Sequence, residues 1–137
     1  MNSRHLHPPG WPRASGYSWG MAASGYFVCV AGMVGTNVQQ QFVSPHLAPQ
    51  IEQALRNGLE VLHEAGGQAQ DIVRMNWYLR DRQTYQAERQ AIGEIYRQLM
   101  GDHYPAMTVV EVSALMDEEA LVEIELTAIV PHPPVST

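Results

Sequence analysis

The sequence predicts an α+β domain in which two helices cover one face of a β-sheet. Two segments have apolar residues at helical spacing, and several shorter segments are alternating or continuously apolar, as strands are. The chain has 137 residues, of which 45% are hydrophobic, which is enough for one core of ordinary size. We therefore expect residues 1–137 to form a single domain, with an irregular arm over 1–15 and a flexible tail over 131–137.

The first half of the chain is predicted to form two strands and a helix. One strand precedes a turn at residues 24–25, and the next covers the apolar run 26–32, which ends in glycine. Over residues 46–67 apolar side chains recur every three or four positions, and a glycine pair ends this helix. Gly58 lies on its apolar face, where a small residue would allow close packing on the sheet.

The second half is predicted to add three strands and a second helix. Residues 72–79 alternate between apolar and polar side chains, which is typical of a strand with one buried face. A helix over 83–100 and strands over 107–115 and 120–130 complete the order β-β-α-β-α-β-β, typical of a layered α+β sandwich. One face of the last strand is apolar and should meet the helices. Its other face is mixed, which suits a subunit interface that also holds a site.

Charge and composition exclude several classes of function. The net charge of −6 disfavours proteins that bind nucleic acid or anionic lipid. All eight basic residues are arginine, so lysine Schiff-base chemistry and a lysine-dependent phosphate loop are excluded. Cys29, the single cysteine, cannot form an intramolecular disulfide and is expected to be inert core. Because no segment has the length of a membrane span or the pattern of a signal peptide, we predict a cytoplasmic location and no membrane partner.

Six segments carry a family resemblance: GYSWG (16–20), VAGMVG (30–35), QIEQALRNGLEVLHEAGG (50–67), DIVRMNWYLRD (71–81), YPAMTVVEVSAL (104–115) and LVEIELTAIVP (121–131). In this order and at these spacings they resemble the RidA/YjgF superfamily. The resemblance implies a chorismate-mutase-like α+β subunit with a mixed sheet, assembled as a homotrimer with small-molecule clefts between subunits. It also implies hydrolysis of 2-imino or 2-enamino acids to 2-keto acids and ammonia, without a metal or an organic cofactor.

The resemblance also implies roles for individual residues. Glu123 matches the glutamate that positions the hydrolytic water, and Tyr17 matches a tyrosine of the family's cleft, so both are catalytic candidates. Gly32 matches a glycine that offers its backbone N–H to the ligand. Met33 stands where the family often has glutamine, and Gln90 falls, by ungapped counting, where it usually has asparagine. These three are expected to contact the ligand.

The chain departs from the family at the residue that binds the substrate carboxylate. The family has an arginine directly after a Pro-Ala step, whereas Met107 follows Pro105-Ala106 here. An arginine binds a carboxylate through two parallel hydrogen bonds, so its loss predicts weak binding of small 2-imino acids. Arg13, which precedes Tyr17, is the first candidate to replace it.

Strand alternation by itself points to an acidic cleft. Met107 and Glu111 share one face of their strand, and Glu123 and Glu125 share one face of theirs. If these faces point the same way, the cleft holds up to three carboxylates and prefers neutral or weakly basic molecules. Met107 is then either a packing residue or the lining of a more apolar pocket. His103, in the preceding turn, is either a loop histidine or an acid-base or ligand contact.

Three functions remain open. The first is a hydrolytic deaminase of an imine or enamine other than the usual small 2-imino acids. The second is a homotrimer that binds or senses a small molecule without catalysis. The third is an endoribonuclease or translation inhibitor, which ranks last because a net charge of −6 without lysine leaves no surface for phosphates. Tyr17 and Glu123 favour chemistry, and the missing arginine counts against the usual chemistry.

Overall fold

The computed structural model describes residues 3–132, which form six strands and three helices. A short 3₁₀ helix over Ala69–Asp71 leads into the fourth strand. The strands are β1 (Ser3–Leu6), β2 (Gly20–Ala23), β3 (Tyr26–Met33), β4 (Ile72–Leu79), β5 (Ala106–Glu111) and β6 (Val122–Val130). The helices are α1 (Leu47–Glu64), α2 (Arg82–Ala87) and α3 (Arg89–Met100).

The main sheet is mixed and has the strand order β3-β6-β4-β5. β3 and β4 both pair antiparallel with β6, whereas β4 and β5 are parallel, since α2 and α3 form the crossover between them. β1 and β2 form a separate antiparallel pair. A parallel bridge between Ser18 and Ala106 places the segment before β2 beside β5. This bridge brings the segment that contains Ser18 next to the strand that carries Met107.

The helices cover one face of the main sheet, as predicted. Every second residue of β6, beginning with Val122, is buried, and the residues between them are only half-buried. α1 packs closely on β6 at Gly58, where a Cβ would lie 3.0 Å from Leu126 Cδ2. The α+β architecture and the packing role of Gly58 are therefore confirmed.

Two side-chain amides fasten loops to α1. Gln50 is fully buried, and its Nε2 donates to the carbonyls of Ser44 at 2.9 Å and Glu119 at 3.0 Å. Its Oε1 accepts from the backbone N–H of Leu121 at 2.8 Å. Asn57 donates to two carbonyls of the segment after β3, at 3.1 and 2.9 Å. These amides hold the loops before α1 and before β6, so they serve the fold.

Two elements in the outer parts of the domain differ from the sequence predictions. The N-terminal arm is not irregular throughout, because residues 3–6 pair with β2 as strand β1. The second helix is not continuous. Glu88 has φ −100° and ψ 15°, which lie outside the helical region, so the segment is divided into α2 and α3. The side chain of Asp81 starts α2 by accepting from the Gln83 N–H at 2.9 Å.

Cys29 is exposed, so the prediction that it is inert core is wrong. It pairs with Thr127 on the sheet face that the helices leave open, and Phe27 on the same face is 67% exposed. β3 is apolar on both faces, so its sequence does not show which residues point toward the helices. The open face combines exposed apolar groups with polar ones, as subunit interfaces do.

The C-terminal third is less regular than predicted. β5 ends at Glu111 instead of residue 115, and residues 112–121 connect it to β6 without regular structure. Most of the predicted tail, residues 133–137, lies outside the described residues. Across residues 3–132, no helix combines the length and the apolar character that a membrane span needs.

Candidate functional site

A cavity of about 630 Å³ lies between α3 and the part of the sheet formed by β4 and β5, and we call it the α3 cavity. Five of the described residues that line it are aromatic, two are arginine and none is acidic. Its size suits a small-molecule ligand. The lining residues are Ser15, Gly16, Tyr17, Trp77, Tyr85, Arg89, Ile92, Gly93, Tyr96, Arg97, Tyr104, Met107 and Val109.

Hydrogen bonds of Ser18 place Tyr17 in the α3 cavity. The Ser18 N–H donates to the Pro105 carbonyl at 3.0 Å, and its hydroxyl donates to the Tyr104 carbonyl. These bonds hold the segment before β2 against the start of β5. Tyr17 and Met107 consequently line the same cavity, so the structure brings together two residues that the sequence singles out.

Aromatic rings form much of the cavity wall. Tyr96 and Tyr104 stack with ring centroids 5.1 Å apart, and Trp77 meets Tyr85 edge to face at 6.3 Å. Burial raises the pKa of Tyr96 and that of Tyr85, although the positive charge of Arg89 opposes the rise at Tyr85. Both hydroxyls are therefore protonated and neutral at physiological pH. The wall offers flat apolar surface and neutral hydrogen-bonding groups.

Two arginines of α3 bring positive charge to the cavity. Arg89, Gly93 and Arg97 follow one another at four-residue intervals, and all three line it. A Cβ on Gly93 would lie 3.4 Å from Arg97 Nη1, so the glycine leaves space beside that guanidinium. Within residues 3–132 neither arginine forms an ion pair. The sequence analysis did not identify either arginine as a site residue, because arginines beside an apolar helix face usually point to solvent. The one sequence feature that could have indicated them is their spacing, which places Arg89, Gly93 and Arg97 on one side of the helix.

Glu123 and Gly32 lie on the opposite face of the sheet. Glu123 pairs with Tyr78 of β4 and alternates with the β6 residues that are buried under the helices. Its Oε2 lies so close to Gly32 that a Cβ built on the glycine would overlap it. No hydrogen bond holds the Glu123 carboxylate within the described part of the chain. This carboxylate is therefore free to bind a water molecule or a ligand.

Glu125 lies two residues further along the same face and is already engaged. Its Oε1 accepts from the Tyr78 hydroxyl and from Asn76 Nδ2, the latter at 3.1 Å. The hydrogen bond to Glu125 raises the pKa of Tyr78, so the phenol keeps its proton. The two neighbouring glutamates thus differ, because Glu125 is hydrogen-bonded within the described part of the chain and Glu123 is not.

The sheet separates Met107 from the carboxylates of β6. Met107 pairs with Met75, which is buried under the helices, so it faces the α3 cavity while Glu123 faces away. Glu111 shares the face of Met107, but its Oε1 accepts from the Arg82 N–H at 2.9 Å and it does not line the cavity. The expectation that these faces coincide in an acidic cleft is wrong for the single chain. The cavity beside Met107 carries cations instead.

The remaining sequence candidates lie outside the α3 cavity. Met33 packs against the hydrophobic core, and Gln90 is exposed on α3 and does not line the cavity. His103 Nε2 donates to the Ile72 carbonyl at 2.7 Å, which favours the interpretation as a loop histidine. Among residues 3–132, no three His, Cys, Asp or Glu side chains come together as a metal site would require.

A mixed sheet covered on one face by helices defines this chain as a layered α+β protein. More particularly, the chain belongs to the RidA/YjgF superfamily, because the model of the Endoribonuclease L-PSP family matches residues 11–130. The family resemblance of the sequence is thereby confirmed.

Individual relatives agree with this assignment. A RutC family protein of Pyrococcus abyssi is 30% identical over 105 residues, which are 76% of this chain and 79% of that protein. A human protein named 2-iminobutanoate/2-iminopropanoate deaminase is 30% identical over 103 residues, 74% of this chain and 72% of its own. The crystal structure of a Rid family protein from Yersinia pestis has a TM-score of 0.85 and 32% identity, and the match covers 95% of this chain and 100% of that one.

Proposed function

We propose that this protein is a cofactor-independent hydrolytic deaminase of an imine or enamine other than the usual small 2-imino acids. The observation that carries the proposal is a divided site. The α3 cavity holds Tyr17 and Met107, and the opposite sheet face holds Gly32 and Glu123. Two such half-sites fit a cleft between subunits, where one chain supplies the cavity and a second supplies the glutamate. The name of the human relative supports the reaction type.

In this scheme Glu123 acts as the general base. Its carboxylate takes a proton from water as the water oxygen attacks the imine carbon, the C=N π electrons move to nitrogen, and the Glu123 carboxyl returns that proton to nitrogen. The carbinolamine then collapses: its hydroxyl proton passes through Glu123 to nitrogen, the C–N bond breaks, the carbonyl forms and ammonia leaves. Imine plus water thus becomes ketone plus ammonia. The Tyr17 hydroxyl and the Gly32 N–H donate hydrogen bonds that hold the reacting group.

The proposed cleft requires assembly, and we expect a homotrimer in solution. Phe27 and Cys29 are exposed on the open sheet face, and covering this face with a second subunit would remove apolar surface from water. Light scattering at micromolar concentration should give three times the chain mass of 15.3 kDa. A stable monomer under these conditions would contradict both the assembly and the divided site.

We expect little activity on 2-iminopropanoate and 2-iminobutanoate. Met107 cannot make the paired charge-assisted hydrogen bonds of an arginine, each of which contributes about 1.5–3 kcal/mol. Losing two of them should lower kcat/KM by about 100-fold or more. The measurement is ammonia release from imines generated in situ, with a relative that carries the arginine assayed in parallel. Equal turnover by both proteins would contradict this prediction, because it would show that short substrates do not need an arginine at position 107.

The missing arginine also favours a second candidate, a homotrimer that binds or senses a small molecule without catalysis. Saturable ligand binding without ammonia release above the uncatalysed rate would identify this function. An endoribonuclease, as in the family description, is a weaker candidate because the chain has a net charge of −6 and no lysine. A cytoplasmic location stays a prediction from the sequence.

A further inference from the structure

Arg89 and Arg97 line the same cavity as Met107. We propose that the two guanidinium groups form an anion subsite in the α3 cavity, and that this cavity takes a carboxylate with an aromatic or bulky apolar side chain. The inference rests on the proposed function and names its substrate class, which is 2-imino acids with a large apolar side chain. The matching 2-keto acids would be the products.

The geometry of α3 lets the two arginines act together. They are eight positions apart, which is about 12 Å along a helix that rises 1.5 Å per residue. Arg97 reaches back along the helix toward Arg89, because its Nη1 lies over Gly93, 3.4 Å from the position of a Cβ. Gly93 adds no side chain between the two arginines, so a carboxylate has room to enter there.

The electrostatics of the cavity favour an anion. Among the described lining residues there is no carboxylate, and neither Arg89 nor Arg97 forms an ion pair within residues 3–132. The tyrosine hydroxyls of the wall are neutral because burial raises the pKa of Tyr85 and Tyr96. The cavity is thus a cationic region in a chain whose net charge is −6. A carboxylate can bind a guanidinium through two hydrogen bonds, which a neutral ligand cannot match.

The aromatic wall selects the rest of the ligand. A two- or three-carbon acid would leave most of the roughly 630 Å³ unfilled, whereas a ring can pack against the partly exposed Tyr85 and Tyr104. Because the guanidinium groups stand on α3 instead of β5, the side chain of an acid bound there can occupy the rest of the cavity, which Met107 also lines.

The test is isothermal titration of the full chain with phenylpyruvate, an aromatic 2-keto acid. Pyruvate and phenylacetone are the matched probes, because the first lacks the ring and the second lacks the carboxylate. We expect phenylpyruvate to bind roughly tenfold more tightly than either, or better. Arg89→Met and Arg97→Met should each weaken phenylpyruvate binding by about tenfold and leave phenylacetone binding unchanged. Arg56→Met is the control, because Arg56 pairs with Glu52 on the exposed side of α1, and it should bind like the wild type.

Two results would overturn the subsite. One is wild-type affinity for phenylpyruvate in a folded Arg89→Met/Arg97→Met double variant. The other is loss of binding in Arg13→Met alone, since Arg13 lines a smaller neighbouring cavity with Tyr17. Glu123→Gln separates this inference from the proposed function. Arginine-dependent binding without Glu123-dependent ammonia release supports the subsite and refutes the deaminase, whereas hydrolysis independent of both arginines refutes the subsite and supports the deaminase.

Discussion

Replacing Gln50 by leucine is expected to lower the free energy of unfolding by about 3 kcal/mol or more. The Gln50 side chain is fully buried and makes three hydrogen bonds of 2.8–3.0 Å to backbone groups of two loops. Leucine has a similar volume but cannot hydrogen-bond, so two carbonyls and one N–H would lose their partner away from water. Each such loss costs about 1–3 kcal/mol. Urea unfolding at a fixed protein concentration measures the effect.

Gln98→Leu is the matched control for this prediction. Gln98 is an exposed residue of α3, so the same chemical change there should alter the unfolding free energy by no more than about 0.5 kcal/mol. If the free energy of unfolding of the Gln50→Leu variant lies within about 1 kcal/mol of the wild-type value, the loops before α1 and β6 do not depend on this side chain. A loss of stability in Gln50→Leu, but not in Gln98→Leu, would confirm that the Gln50 amide holds both loops on α1.

Replacing Glu123 by glutamine is expected to reduce imine hydrolysis by about 100-fold or more, with ligand binding and assembly unchanged. Glutamine keeps the shape of the side chain but cannot take a proton from water. The Glu123 carboxylate has no hydrogen-bond donor within residues 3–132, so the change should break no existing bond. Ammonia release under saturating substrate measures the rate, and light scattering checks the assembly. Full activity in this variant would make Glu123 a structural residue.

Glu125→Gln is the matched control, because it makes the same change two residues away on the same sheet face. The Glu125 carboxylate is bound by Tyr78 and Asn76, so it should contribute little to catalysis, and most activity should remain. Gly32→Ala tests whether the position of the Glu123 carboxylate matters, without changing Glu123 itself. Its added Cβ would overlap Glu123 Oε2, so the carboxylate must move and the rate should fall while the protein stays folded.

Features that depend on neighbours in the chain were predictable from the sequence. The alternation over 72–79 has the same bounds as β4, and the helical spacing over 46–67 contains α1. The buried face of β6 also follows from its pattern, because apolar residues alternate with polar ones from Val122 to Thr127. The family could also be identified from the sequence, because the six segments that resemble it occur in the family's order and spacing. What remained open was how these elements face one another.

Tertiary structure decided which candidate residues meet. β5 carries valine on both of its faces, Val109 and Val110, so its pattern cannot show that Met107 points toward α3 and away from Glu123. Arg89 is exposed and yet borders the α3 cavity, which follows from the placement of α3 on the sheet and not from the helix pattern. Alternation shows which residues of one strand share a face. Only the pairing register and the placement of the helices determine which faces of different elements lie together, and those depend on contacts between residues far apart in the chain.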